Sequence, residues 1–172
     1  MFLNHIKEFS LKRILKKSFP NVNSNINVTS IKSVGLLIDE SYFEHKADLI
    51  NELILNGFEK DNIKVLVFKD KINKNNVFNY PTFNNKQINL SGKFTENVII
   101  DFIQEKFDLL ISYYDAEKIS LLLITNRSKA SFKVGFSSID KRCNNLMITT
   151  NTKNYKIFVL EMFKYLKILK KI

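Results

Sequence analysis

Residues 34–68 read VGLLIDESYFEHKADLINELILNGFEKDNIKVLVF, and this stretch decides the fold. It opens on Val34-Gly35-Leu36-Leu37-Ile38, a short continuous apolar run of the kind that forms a strand buried on both faces. Asp39-Glu40-Ser41 follows as a polar loop. Ser41, with Glu44 three residues on, has the form of a capping box and predicts a helix to Asn56. Ala47, Ile50, Leu53 and Ile54 are expected on its inner side, and Gly57 as its stop. Ile63–Phe68 is the next apolar strand. A strand–helix–strand unit of this length predicts a parallel pair joined by a right-handed crossover.

The pattern continues downstream. Residues 69–94 are less regular, holding Lys69-Asp70-Lys71, an Asn-rich stretch and Phe78–Phe83, with a short strand expected within Ile88–Phe94. Thr95 and Glu96 open a helix through Lys106, with Val98, Ile99, Phe102 and Ile103 inward. Asp108–Ser112 reads as a strand, Ala116–Asn126 as a very apolar helix, Phe132–Phe136 as a strand and Leu146–Ile148 as one more. Residues 153–171 form the last helix, with Ile157, Val159 or Leu160, Phe163, Tyr165 or Leu166, and Leu169 as its apolar positions. Upstream, residues 2–17 read as a helix with Phe2, Leu3, Ile6, Phe9 or Ser10, and Ile14 near one face. Pro20 ends it, and residues 21–31 read as a polar linker. The organisation expected is a basic helix over 1–20, the linker, and a single domain over 32–172. Alternating strands and helices predict a three-layer α/β fold: a mainly parallel, Rossmann-like sheet of four or five strands flanked by helices, with basic helices at both ends.

Bulk properties bound the function. The chain has 172 residues, 45% hydrophobic and 26% charged, which suits one globular domain and excludes a disordered chain. One cysteine excludes an internal disulfide framework, and no Cys or His spacing suits zinc. There is no uncharged apolar run long enough for a transmembrane helix, and charges interrupt the first helix too often for a secretory signal. A cytoplasmic protein is expected. No Gly-rich phosphate loop is present, so no nucleotide cofactor is expected. No metal is expected either, and no catalytic residue is assigned. Cys143 beside Lys141-Arg142 has no histidine placed to activate it, since His5 and His45 belong to other elements.

The net charge of +10 sits almost wholly at the ends. Residues 1–18 carry Lys7, Lys12, Arg13, Lys16 and Lys17 against Glu8, a net of +4. Residues 153–172 carry six lysines against Glu161, a net of +5. Two basic ends on a nearly neutral body suggest a polyanionic partner. The candidate contact residues are Lys12, Arg13, Lys16, Lys17, Lys164, Lys167, Lys170 and Lys171.

A second candidate site follows from the fold. Parallel α/β domains bind ligands beyond the carboxyl ends of their strands. Asp39, Glu40, Ser41, Lys69, Asp70, Tyr113, Asp115, Ser137 and Ser138 fall on that rim, with Lys141 and Arg142 nearby as phosphate-binding cations. Several acids on one rim could bind Mg²⁺ or act as acid and base, but acids that follow strands serve more often as caps and turns.

The segments VGLLIDES, FNYPTF, FDLLISYYD, KVGFSSIDKR and FKYLKIL together resemble a family of small, uncharacterised bacterial proteins, which implies no activity. More locally, FDLLISYYDAEKISLLLITNRSKASFKVGF resembles a segment in the amino-terminal half of heptosyltransferase-type glycosyltransferases. That likeness implies the fold; the 172 residues leave no room for the sugar-nucleotide domain of those enzymes and lack their glycine-rich start, so their activity is not expected. The expected function is a non-enzymatic accessory protein that binds structured RNA or a ribonucleoprotein through its basic terminal helices. Two alternatives stand beside it: a small enzyme or ligand-binding domain using the strand-end rim, and a peripheral protein on an anionic membrane.

Overall fold

The computed structural model describes residues 2–19, 30–73 and 77–172, so most of the expected linker, and residues 74–76 of the Asn-rich stretch, lie outside the described residues. Six strands, β1 (Val34–Asp39), β2 (Ile63–Phe68), β3 (Thr82–Phe83), β4 (Leu109–Tyr113), β5 (Phe132–Phe136) and β6 (Leu146–Ile148), form one sheet in the order β3-β2-β1-β4-β5-β6. Every pairing is parallel. Five helices flank it: α1 (Phe2–Ser18), α2 (Lys46–Leu55), α3 (Asn97–Gln104), α4 (Ile119–Arg127) and α5 (Tyr155–Ile168). This is a doubly wound α/β domain with the Rossmann strand order.

The apolar runs sit centrally, as their composition requires. All six residues of β1 and all five of β4 are buried. The chain leaves β1 toward β2 and leaves β4 toward β5, in opposite directions along the sheet. Right-handed crossovers therefore place α2 and α4 on opposite faces. Packing agrees, because α2 contacts α5 whereas α4 contacts α1 and α3. Strand alternation carries this into the side chains. On the α5 side, Tyr113 and Phe136 pack against Phe158 at ring separations of 5.1 and 4.6 Å. On the α4 side, the Ser112 and Tyr114 hydroxyls share hydrogen bonds with Thr125, at 3.0 and 2.7 Å. Burial pushes both tyrosines above the usual phenol range. Lys133, also on this side, donates to the carbonyls of Thr125 and Asn126 at the end of α4, and burial lowers its pKa to about 8.

Several expectations need correction. The sheet has six strands because Thr82–Phe83 pairs with β2, too short a segment for periodicity to register. Ile88 and Phe94 instead close a local antiparallel turn through an isolated bridge. Ser41 caps no helix: α2 begins at Lys46, and the Ser41 hydroxyl accepts from the backbone N–H of Asp70. Ala47 and Val98 face outward. On α5 the buried residues are Phe158, Val159, Met162, Phe163 and Leu166, leaving Ile157, Leu160, Tyr165 and Leu169 exposed. On α1, Leu11 and Leu15 are buried and Ile14 partly so, while Ile6 and Phe9 are exposed. The side chains of Phe2 and Leu3 lie outside the described residues. Helices that are apolar around much of their circumference leave the inner face ambiguous until tertiary packing selects it.

Candidate functional site

The strand order reverses between β1 and β4, which makes their carboxyl ends the topological switch point. Lys118, directly before α4, fills that crevice. Its ammonium lies 2.8 Å from Asp39 Oδ2, 2.9 Å from Asp70 Oδ2 and 2.8 Å from Ser41 Oγ, and 4.7 Å from the centre of the Phe68 ring. The lysine and Asp39 side chains are 17% and 9% exposed, against 39% for Asp70. Asp39 also accepts from the Ser41 backbone N–H at 2.9 Å. Beside this knot, Glu40 pairs with Lys46 at 2.9 Å. The expected acids Asp39, Glu40 and Asp70 therefore do come together in space, with one lysine shared between Asp39 and Asp70 and a second on Glu40.

The rest of the predicted rim is dispersed. Asp115 accepts from the Thr152 backbone N–H and hydroxyl, tying the loop after β4 to the loop after β6. Tyr113 donates to the Thr152 carbonyl and is buried, so it is not a rim side chain. Ser138 donates to the Asp115 carbonyl, and Ser137 is exposed. Lys69 donates its backbone N–H to Phe83, and Lys141 is exposed. Arg142 grips Asp140 through Nε and Nη2 and lies 3.9 Å from the centre of the Phe19 ring. That grip holds the Asp140 carboxyl at about 2. Cys143 is not activated by its basic neighbours. Burial first, then Asp140 and Glu117, push its thiol up to about 12. Among the described residues, no group of three or more His, Cys, Asp or Glu side chains is placed to hold a metal ion.

Next to the Lys118 knot opens a cleft of about 880 Å³. One wall is α1, held by Lys7 and Ser10 donating to the carbonyls of Asn85 and Leu90, and by Asn126 donating to Ser18. Its apolar lining includes Leu11, Leu15, Phe19, Ile119 and Leu122. Its cations are Lys7, Lys12, Lys16, Lys86, Lys118 and Arg142, against Glu8, Asp70, Glu117 and Asp140. Three of those acids are committed: Glu8 to Lys12 at 2.7 Å, Asp70 to Lys118 and Asp140 to Arg142. Glu117 accepts from the Asp140 backbone N–H. Lys16 and Lys86 have no ion pair among the described residues. The first turn of α4 also enters the cleft and has no side-chain cap.

The two predicted sites thus merge in part. Of the basic-helix residues, Lys12 and Lys16 line the cleft; of the rim, Asp70 and Arg142 do. Arg13 and Lys17 are exposed on α1. Lys164 and Lys167 lie on α5 and Lys170 just after it, on the opposite side of the sheet, so the two terminal helices present two surfaces rather than one basic face. Lys171 is buried, with its ammonium over the Phe132 ring. Sequence reasoning missed Lys118, Lys86 and Lys7. Lys118 carried a readable signal: it follows the predicted strand-end loop Tyr113–Asp115 by three residues, at the mouth of a helix.

Topology and crevice together define a Rossmann-like domain without the glycine-rich turn that cradles a pyrophosphate. The chain belongs to a family of unknown function (DUF6913), whose model matches residues 7–169. Comparison with curated proteins and with solved structures gives no match. Among the described residues, no helix is long and apolar enough to cross a membrane.

Proposed function

We propose that this domain binds an anionic ligand of small-molecule size in the cleft between α1 and the carboxyl ends of the strands. One observation carries the reading: Lys16 and Lys86 face a cleft beside the topological switch point without an acidic partner among the described residues. Three of the four lining acids are held by Lys118, Lys12 and Arg142, and the six lining cations outnumber the four acids, so an entering anion meets net positive charge. The apolar lining suits a ligand that joins a phosphate or carboxylate to a hydrophobic body. Titration calorimetry with inorganic pyrophosphate, nucleoside monophosphates, sugar phosphates and an aryl phosphate tests this. Binding of one probe that falls at least tenfold in Lys16→Glu/Lys86→Glu is the expected result. No binding at millimolar concentration, or equal binding by the variant, overturns it.

RNA binding along α1 is the second reading, supported by Lys12, Arg13, Lys16 and Lys17 following one another on that helix. Because α5 lies across the sheet, such a site would engage about four cations. Affinity for single-stranded RNA would then fall with a log–log salt slope of roughly −3, about 0.7 per contact. A slope twice as steep would mean that both terminal helices engage the RNA.

A further inference from the structure

We infer that the outward face of α5 is a docking surface for an anionic lipid bilayer. The helix packs on the domain through Phe158, Val159, Met162, Phe163 and Leu166. On its opposite side Ile157, Leu160 and Ile168 stand 50%, 63% and 64% exposed. Their spacing of three and eight residues puts them on one strip of the helix. Lys164 falls within that strip, and Lys156 and Lys167 flank it on one side. Tyr165, 40% exposed, adds an amphipathic ring on the other flank. Glu161 is the sole acid over residues 153–172 and is occupied by Lys164 at 3.1 Å.

Charge selects the occupant. A second copy laid across this face would set Lys156, Lys164 and Lys167 against the same lysines of the other copy. RNA would satisfy the lysines and leave three aliphatic side chains without a role. A bilayer with anionic headgroups satisfies both, because aliphatic side chains enter the acyl boundary while the lysine stems reach back to the phosphates. The outer face of the neighbouring α2 carries Asp48 and Glu52, which anionic headgroups would repel.

Flotation with vesicles of phosphatidylcholine containing 30% phosphatidylglycerol, against phosphatidylcholine alone, tests the inference. The intact chain should partition at least tenfold better onto the anionic vesicles and be released by 0.5 M NaCl. Ile157→Gln/Leu160→Gln/Ile168→Gln should lose at least five-fold of that partition with an unchanged circular dichroism spectrum and melting temperature. Lys16→Glu/Lys86→Glu leaves α5 intact and should retain most of the partition, which separates this surface from the cleft. Equal partition onto both vesicle types, undiminished binding by the triple Gln variant, or a dimer in sedimentation that the triple variant abolishes would each overturn it.

Discussion

Replacing Lys118 by Met keeps the aliphatic stem over Phe68 and removes only the ammonium. The loss follows from what is left behind. Asp39, 9% exposed, keeps one backbone donor at 2.9 Å but loses its partner at 2.8 Å. Asp70, 39% exposed, can rehydrate. Stripping a buried ion pair of one member costs about 3–5 kcal/mol, and the partial access of Asp70 puts this case at about 3 kcal/mol. For a domain of this size that is a fall in Tm of about 6–12 °C. Asp70→Asn alone should cost about 1 kcal/mol or less. In Lys118→Met/Asp39→Asn the orphaned charge is gone, so the double variant should be more stable than Lys118→Met. Urea unfolding at pH 7 of the single and double variants measures this cycle. A Lys118→Met loss under 1 kcal/mol, or a double variant no better than the single, would refute the view that a buried pair closes the switch point.

Three other outcomes are expected. A Cβ on Gly35 would lie 2.7 Å from the Phe107 ring, itself buried against Phe102, so Gly35→Ala should cost about 1–3 kcal/mol in chemical denaturation. The Cys143 thiol, buried and held up to about 12, should react with an aromatic disulfide reagent at pH 8 only as fast as the protein unfolds; immediate modification of the native chain would contradict its burial. Lys133 sits at about 8 when folded, below the 10.5 of an ordinary lysine, so the unfolded chain binds the proton more tightly. Its contribution is present in full above pH 10.5 and is withdrawn as pH falls through about 8. The stability difference between wild type and Lys133→Met should accordingly shift in favour of wild type from pH 7 to 10.5, by at most about 3 kcal/mol; a flat difference would refute it.

The central strands were legible because burial on both faces leaves an unbroken apolar run, as in Val34–Ile38 and Leu109–Ile111. The βαβ unit and the parallel sheet followed from their spacing. What escaped was decided by long-range contact. Thr82–Phe83 is a strand because β2 offers it an open edge, and no local pattern marks two residues. Ser41 looked like a cap by its spacing to Glu44, yet its hydroxyl serves Lys118, 77 positions away. The charge at both ends could be counted from the sequence. That the sheet separates the two basic helices could not, because neither joins two strands and only the packing of α1 on α4 and of α5 on α2 sets their sides. Asp39 and Asp70 were recognisable as rim acids, but their shared counter-ion came from a different strand-end loop.

The mode by which α1 is attached has a kinetic consequence. Among the described residues of α1, only Leu11 and Leu15 are buried, worth about 3–6 kcal/mol together, and a few side-chain hydrogen bonds assist them. The sheet residues behind it are locked by pairing on both sides and by the aromatic packing around Phe158. Amide exchange should therefore find α1 opening as a unit of its own, well before β1 and β4 lose protection. An α1 that opens in this way moves the wall that shapes the cleft, so the helix itself gates access without loosening the sheet.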